Sequence, residues 1–254
     1  MIASQVSGQG PPLVMVHGAA NDRTSFALVR PHLEHAFTVI GIDRRGRGAS
    51  DDGEEYSIAA EVTDVVAVVR EAGDGAFLMG HSYGALLALE AALELGELPR
   101  LALYEAPIGG QLATDRRIEE LERLHEEGRE EELLLLFLRQ VSGMSEQEIE
   151  QLRGTPSWHA RLAAAHTIPR ELRAEAGWCL RPERYAELGV PTLMLVGEDS
   201  PAWAVRSTDA VARALPNAEV HTLAGQGHSA TLHAPELLAG ELTAFFRNER
   251  DHPK

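Results

Sequence analysis

Cysteine is almost absent. Cys179 stands alone among 254 residues, so the chain closes no internal disulfide and builds no cysteine zinc site. Lysine is equally scarce, with Lys254 its single example. Acidic residues outnumber basic ones by 39 to 23, for a formal net charge of −16. Phosphate-backbone binding needs a basic face, so no nucleic-acid partner is expected. Long apolar runs are missing too. The longest aliphatic stretch, residues 133–138 with Phe137 inside it, is far too short to cross a bilayer, and no membrane association is expected. Residues 1–12 lack the basic and apolar segments of a signal peptide, which makes a cytoplasmic location the expectation. No histidines pair at i, i+4 spacing with an acidic partner, and the G-x-G stretches lack the strand–helix setting of a dinucleotide site. No metal and no cofactor are therefore expected.

What is present is a chain long enough for one large core domain carrying an insertion. Short apolar runs bounded by turn residues predict strands at 13–16, 37–42, 76–79, 101–104, 192–196 and 219–223, with residues 2–6 available for an earlier one. Their continuous rather than alternating apolar character suggests strands buried on both faces, as in a parallel sheet. Helical spacing falls between them at 58–72, 85–95, 209–215 and 235–246. Alternation of this kind predicts an α/β fold with a mostly parallel, doubly wound sheet. Residues 110–187 break the rhythm. They show no convincing strand, only Glu/Arg/Leu-rich helical pattern at 116–127, 130–141, 145–153 and 159–176. The expected organisation is a core of 1–109 and 188–254 with a helical lid inserted at 110–187.

Gly80-His81-Ser82-Tyr83-Gly84 carries the strongest chemical signal. It follows a predicted strand and precedes a predicted helix, the setting in which G-x-S-x-G becomes a nucleophile elbow. A sharp turn there holds the serine in strained geometry, and side chains at the flanking glycines would collide. The helix that follows aims its partial positive charge at a reacting carbonyl.

With these residues the sequence resembles the α/β-hydrolase family over nearly its whole length. His17-Gly18-Ala19, after the first core strand, resembles the family's oxyanion loop, which implies main-chain N–H donors at Ala19 and Tyr83. The stretch from Asp43 to Ser50 matches a D-x-R-G-x-G-x-S turn that supports this loop. Gly225-Gln226-Gly227-His228 resembles the loop bearing the catalytic histidine, making His228 the expected base; His81, His221 and His233 are its competitors. The acid departs from the pattern. Its usual place, three residues after Gly197, holds Ser200, which carries no charge. Glu105, at the end of the strand after the elbow helix, is the favoured acid, with Asp199 as the alternative. A carboxylate ending a buried strand needs a partner, and an imidazole supplies one.

The resemblance implies an esterase-like serine hydrolase that acts on a small-molecule acyl substrate through an acyl-serine. A serine at position 82 excludes the relatives that form an aspartyl ester. Two alternatives stand beside it: a cofactor-free perhydrolase or haloperoxidase-like activity on the same residues, and a non-catalytic ligand-binding protein of the same fold, favoured by the serine at 200. Phe137, Trp158, Trp178 and Trp203 are candidate pocket walls. Acidic composition with an apolar lid leads to an expectation of an uncharged or cationic substrate.

Overall fold

A computed structural model describes residues 1–110 and 112–248. Residue 111 of the expected insertion and residues 249–254 of the expected core lie outside the described residues. The chain begins β1 (Ser4–Gly8), β2 (Pro12–Val16), α1 (Arg30–Leu33), β3 (Thr38–Ile42), α2 (Ile58–Ala72), β4 (Phe77–His81), α3 (Tyr83–Leu95) and β5 (Leu101–Tyr104). Five helices follow: α4 (Asp115–Glu126), α5 (Glu130–Gln140), α6 (Glu146–Leu152), α7 (Pro156–Ala163) and α8 (Ile168–Ala176). The chain then returns to the sheet through β6 (Thr192–Gly197), α9 (Ala202–Ala214) and β7 (Ala218–Leu223), and ends with α10 (Ala230–His233) and α11 (Pro235–Phe246).

The seven strands lie in the order β1-β3-β2-β4-β5-β6-β7. Only β1 runs antiparallel, against β3; the other neighbours are parallel. Both faces are covered. Along β2, Leu13 and Met15 enter one apolar cluster while Val14 and Val16 enter the other, because successive side chains point to opposite faces. That double burial is why the strands read as unbroken apolar runs. One face is packed by α1 and α11, through Leu33, Leu238 and Leu242. The other is packed by α2 and α3. Helix α2 starts where the Ser57 hydroxyl accepts from Ala60 N–H, and buries Val62, Val65, Val66 and Val69 at helical spacing.

Strand β3 sits on one side of β2 and β4 on the other. The carboxyl ends of β2 and β4 are therefore neighbours at the point where strand order reverses, the crevice in which open parallel sheets bind ligands.

Among the described residues no strand occurs between β5 and β6. One expectation for this segment needs correcting: 159–176 is not a single helix. Helix α7 stops at Ala163 and α8 starts at Ile168, because Pro169 has no N–H to donate and its ring disfavours a preceding helical turn; in the first turn of α8 it does no harm. The helical segment is tied to the core through a buried carboxylate. Glu171 of α8 contacts Arg44 at 2.5 Å and also pairs with Arg47, and all three side chains are at most 1% exposed.

Candidate active site

Strand β4 ends at His81 and helix α3 begins at Tyr83, so Ser82 alone makes the turn. Its φ of 54° and ψ of −127° are left-handed values that non-glycine residues seldom adopt. The flanking glycines are required by contact. A Cβ on Gly80 would stand 2.3 Å from Gly84 O, and one on Gly84 would stand 2.3 Å from Val16 O. Ala20, in the loop after β2, and Glu105, directly after β5, are also non-glycine residues with positive φ. Each such conformation costs roughly 1–3 kcal/mol and characteristically gathers at functional sites.

A continuous hydrogen-bond path leaves Ser82. Its Oγ donates to His228 Nε2 at 3.0 Å, and His228 Nδ1–H donates to Glu105 Oε2 at 2.5 Å. Glu105 is wholly buried, and its other oxygen accepts from Gly197 N–H at 2.8 Å and from the Ser200 hydroxyl. Ser200, in the place where an acid was expected, thus serves the carboxylate as a donor. Asp199 makes a main-chain bond to Gln226 O and is not in hydrogen-bond contact with the imidazole. The loop bearing His228 is pinned from below: the Tyr104 hydroxyl donates to Gly227 O, and His81 Nε2–H donates to His228 O at 3.0 Å. His81 also stacks on Tyr104, with ring centroids 4.8 Å apart. Burial, then the neighbouring His228, holds the His81 pKa well below the usual imidazole value. A neutral His81 is a positioning donor.

The loop after β2 presses against the serine. A Cβ on Gly18 would lie 3.0 Å from Ser82 Cβ. Arg44 supports this loop by donating to Gly18 O at 3.2 Å and to His17 O at 3.4 Å, and its guanidinium is held in turn by Glu61 Oε2 at 2.8 Å. His17 is buried, accepts from Arg44 N–H at 3.2 Å, and is kept neutral by burial and by the Arg44 charge. Asn21 ties the loop to itself through Ala19 O at 2.9 Å. Tyr83 N–H is the first donor of α3, a position without an intrahelical acceptor; its hydroxyl meets Tyr56 at 2.8 Å.

A cavity of about 40 Å³ opens at Ser82 and His228, room for a few water-sized groups. Gly18 and Ala19 form one wall; Phe137, Ser142, Met144 and Arg161 of the helical segment form another. A larger cleft of about 650 Å³ lies at residues 73–76 and 96–99. It sits at the amino ends of β4 and β5, opposite the crevice, and contains no comparable nucleophile–base pair, so the smaller cavity is the candidate site.

The model of the alpha/beta hydrolase family matches residues 13–241. The chain belongs to this family. A solved alpha/beta hydrolase from Sphaerobacter thermophilus is 34% identical, covers 96% of each chain, and superposes with a TM-score of 0.85. Among curated relatives, a 2-(acetamidomethylene)succinate hydrolase of Mesorhizobium japonicum is 26% identical over 94% of this chain and 88% of that protein. An N-formylmaleamate deformylase of Pseudomonas putida is 35% identical over 107 residues, a match spanning 41% of this chain and 40% of that protein.

Within this hydrolase fold, the residues expected at the pocket fare differently. Phe137 lines the cavity. Trp203 stands edge-on to the His228 ring, with centroids 5.3 Å apart, outside the cavity lining. Trp158 and Trp178 do not reach the cavity. Trp158 is buried within the helical segment, with Arg153 4.7 Å from its ring centroid, and Trp178 packs half-buried on the larger apolar cluster. Arg161 went unread. Its signal was present: it lies three residues after Trp158 on α7, so the helical period puts an arginine on the buried side.

Proposed function

We propose that the chain is a serine hydrolase that cleaves a small carboxylic ester or related acyl bond. Ser82 Oγ attacks the acyl carbon while His228 Nε2 takes its proton. Glu105 holds the imidazole in the required tautomer and stabilises the imidazolium. The N–H groups of Ala19 and Tyr83 receive the developing oxyanion. The tetrahedral adduct then expels the alcohol, protonated by His228, and leaves an acyl-serine. Water, deprotonated by His228, attacks that ester and frees the carboxylic acid and Ser82. The balance is one ester and one water in, one acid and one alcohol out.

The observation that carries this reading is the unbroken path from Ser82 through His228 to a buried Glu105. Ser200, whose presence favoured a non-catalytic protein, is accounted for as a donor to that carboxylate. Two relatives are named for a deformylation and for an acetamido compound, which supports acyl bonds to nitrogen as well as oxygen. The cavity of about 40 Å³ supports short acyl chains over long ones.

The test is hydrolysis of p-nitrophenyl esters from acetate to octanoate, beside labelling by a fluorophosphonate probe. Wild type should label and favour acetate, and Ser82→Ala should lose about 10⁶-fold in kcat together with the label. Glu105→Gln should lower kcat by about 10⁴-fold, with Asp199→Asn near wild type. Full turnover by Ser82→Ala refutes the reading; the reverse order of the two carboxylate variants moves the acid to Asp199.

A further inference from the structure

The cavity at Ser82 contains two buried donors that the proposed reaction leaves idle. Arg161 is 8% exposed and its Nε is buried without a hydrogen-bond partner; Ser25 is 6% exposed and its hydroxyl is in the same condition. Both line the cavity that Ser82 and His228 share. Four other arginines, Arg30, Arg47, Arg153 and Arg170, also have a buried Nε without a hydrogen bond, yet each has an ion pair with a carboxylate. Among the described residues Arg161 has none. Among the described residues the carboxylate of Asp22 is the one charge that acts favourably on it, but Asp22 forms no ion pair with it and accepts instead from the Thr24 N–H and hydroxyl.

A guanidinium withdrawn from water without a counter-charge is strongly destabilising. Burial lowers the Arg161 pKa to about 10, so it still carries its charge at neutral pH. Its planar fork matches a carboxylate, and a hydroxyl beside it adds a neutral donor. We propose that Arg161 and Ser25 form a carboxylate-binding subsite, and that the substrate of Ser82 is an acyl compound bearing an anionic carboxylate, such as the monoester of a short dicarboxylic acid. The inference rests on the serine-hydrolase reading and names its substrate class. It replaces the expectation, drawn from acidic composition and an apolar lid, of an uncharged or cationic substrate. Surface charge is screened over about 10 Å in ordinary salt, whereas a charge buried at the wall of the cavity acts on a bound group at contact distance.

The experiment compares monomethyl succinate with methyl 4-methylpentanoate, whose isopropyl end copies the shape of a carboxylate without its charge. Wild type, Arg161→Gln and Arg161→Lys are assayed beside fluorophosphonate labelling of Ser82. Wild type should prefer the succinate ester by about a hundredfold in kcat/KM. Arg161→Gln should lose that preference, its kcat/KM falling far more for the succinate ester than for the neutral one, and Arg161→Lys should keep part of it. A wild type that favours the neutral ester, or an Arg161→Gln that slows both esters equally, overturns the subsite and leaves the role of Ser82 standing. Absence of labelling overturns the hydrolase reading instead, and thermal unfolding with added succinate then judges the subsite alone. A rise in Tm for wild type but not for Arg161→Gln supports it; equal shifts, or none, overturn it.

Discussion

Arg44 and Arg161 are both withdrawn from solvent, 1% and 8% exposed, but their surroundings differ in kind. Arg44 sits among carboxylates. Glu61 and Glu171 reach its guanidinium, Glu171 also meets Arg47, and the remaining Arg44 donors go to the loop carbonyls at His17 and Gly18. Among the described residues Arg161 has no such partners and lines a cavity. A buried charge compensated by the protein's own groups fastens one element to another. A buried charge without such compensation is held ready for a guest, and the two arrangements should respond oppositely to the loss of a side chain.

The sharpest way to break this comparison is to remove a partner from the compensated side. Glu171→Gln leaves Arg47 without its carboxylate and should destabilise the protein by about 3–5 kcal/mol, read as a lower midpoint in urea unfolding. A change under about 1 kcal/mol would mean that the cluster behaves like a surface pair. On the other side, Arg161→Leu removes the unpaired charge itself and should leave unfolding stability equal or raise it by up to about 2 kcal/mol, while discrimination between charged and neutral esters is lost. Destabilisation as large as that of Glu171→Gln would show that Arg161 is structural.

A smaller effect comes from pH. His17 belongs to the compensated cluster and His81 to the cavity, and in both burial holds the folded pKa well below the imidazole value. The unfolded chain then binds protons that the folded one refuses. The stability from this source is complete above the unfolded pKa of about 6.5 and falls as the pH drops below it, by roughly 1.4 kcal/mol per unit for each histidine. Urea unfolding at pH 7.5, 6.5 and 5.5 should show the decline beginning below the middle value. A flat profile would mean that both rings are protonated in the fold.

The arrangement of strands was legible because double burial writes the same unbroken apolar runs wherever it occurs, and Leu13 to Val16 show it residue by residue. The elbow was legible because its crowding is local: Gly80 and Gly84 are forced by contacts among the turn, the helix it opens and the adjacent strand. The break between α7 and α8 was equally local, written in Pro169, and was missed because helical periodicity outweighed a proline at the start of a turn. Arg161 was missed for a different reason. A charged residue reads as solvated unless its helix is known to bury that side, and whether a carboxylate distant in sequence pairs with it is not written in the spacing along the chain.

By itself, then, the sequence determined the layered α/β architecture and the serine at its elbow, since both follow from periodicity and from contacts between near neighbours in the chain. Tertiary structure alone decided which carboxylate meets His228. The parallel register of β5 with β6 sets Tyr104 beside Leu195 and brings Glu105 against Gly197 and Ser200, while Asp199 turns its main chain to Gln226. It also decided which buried arginine would be compensated. Glu171 arrives at Arg44 from 127 residues away, and among the described residues no carboxylate pairs with Arg161, a distinction that depends on distances in space for which spacing along a chain has no measure.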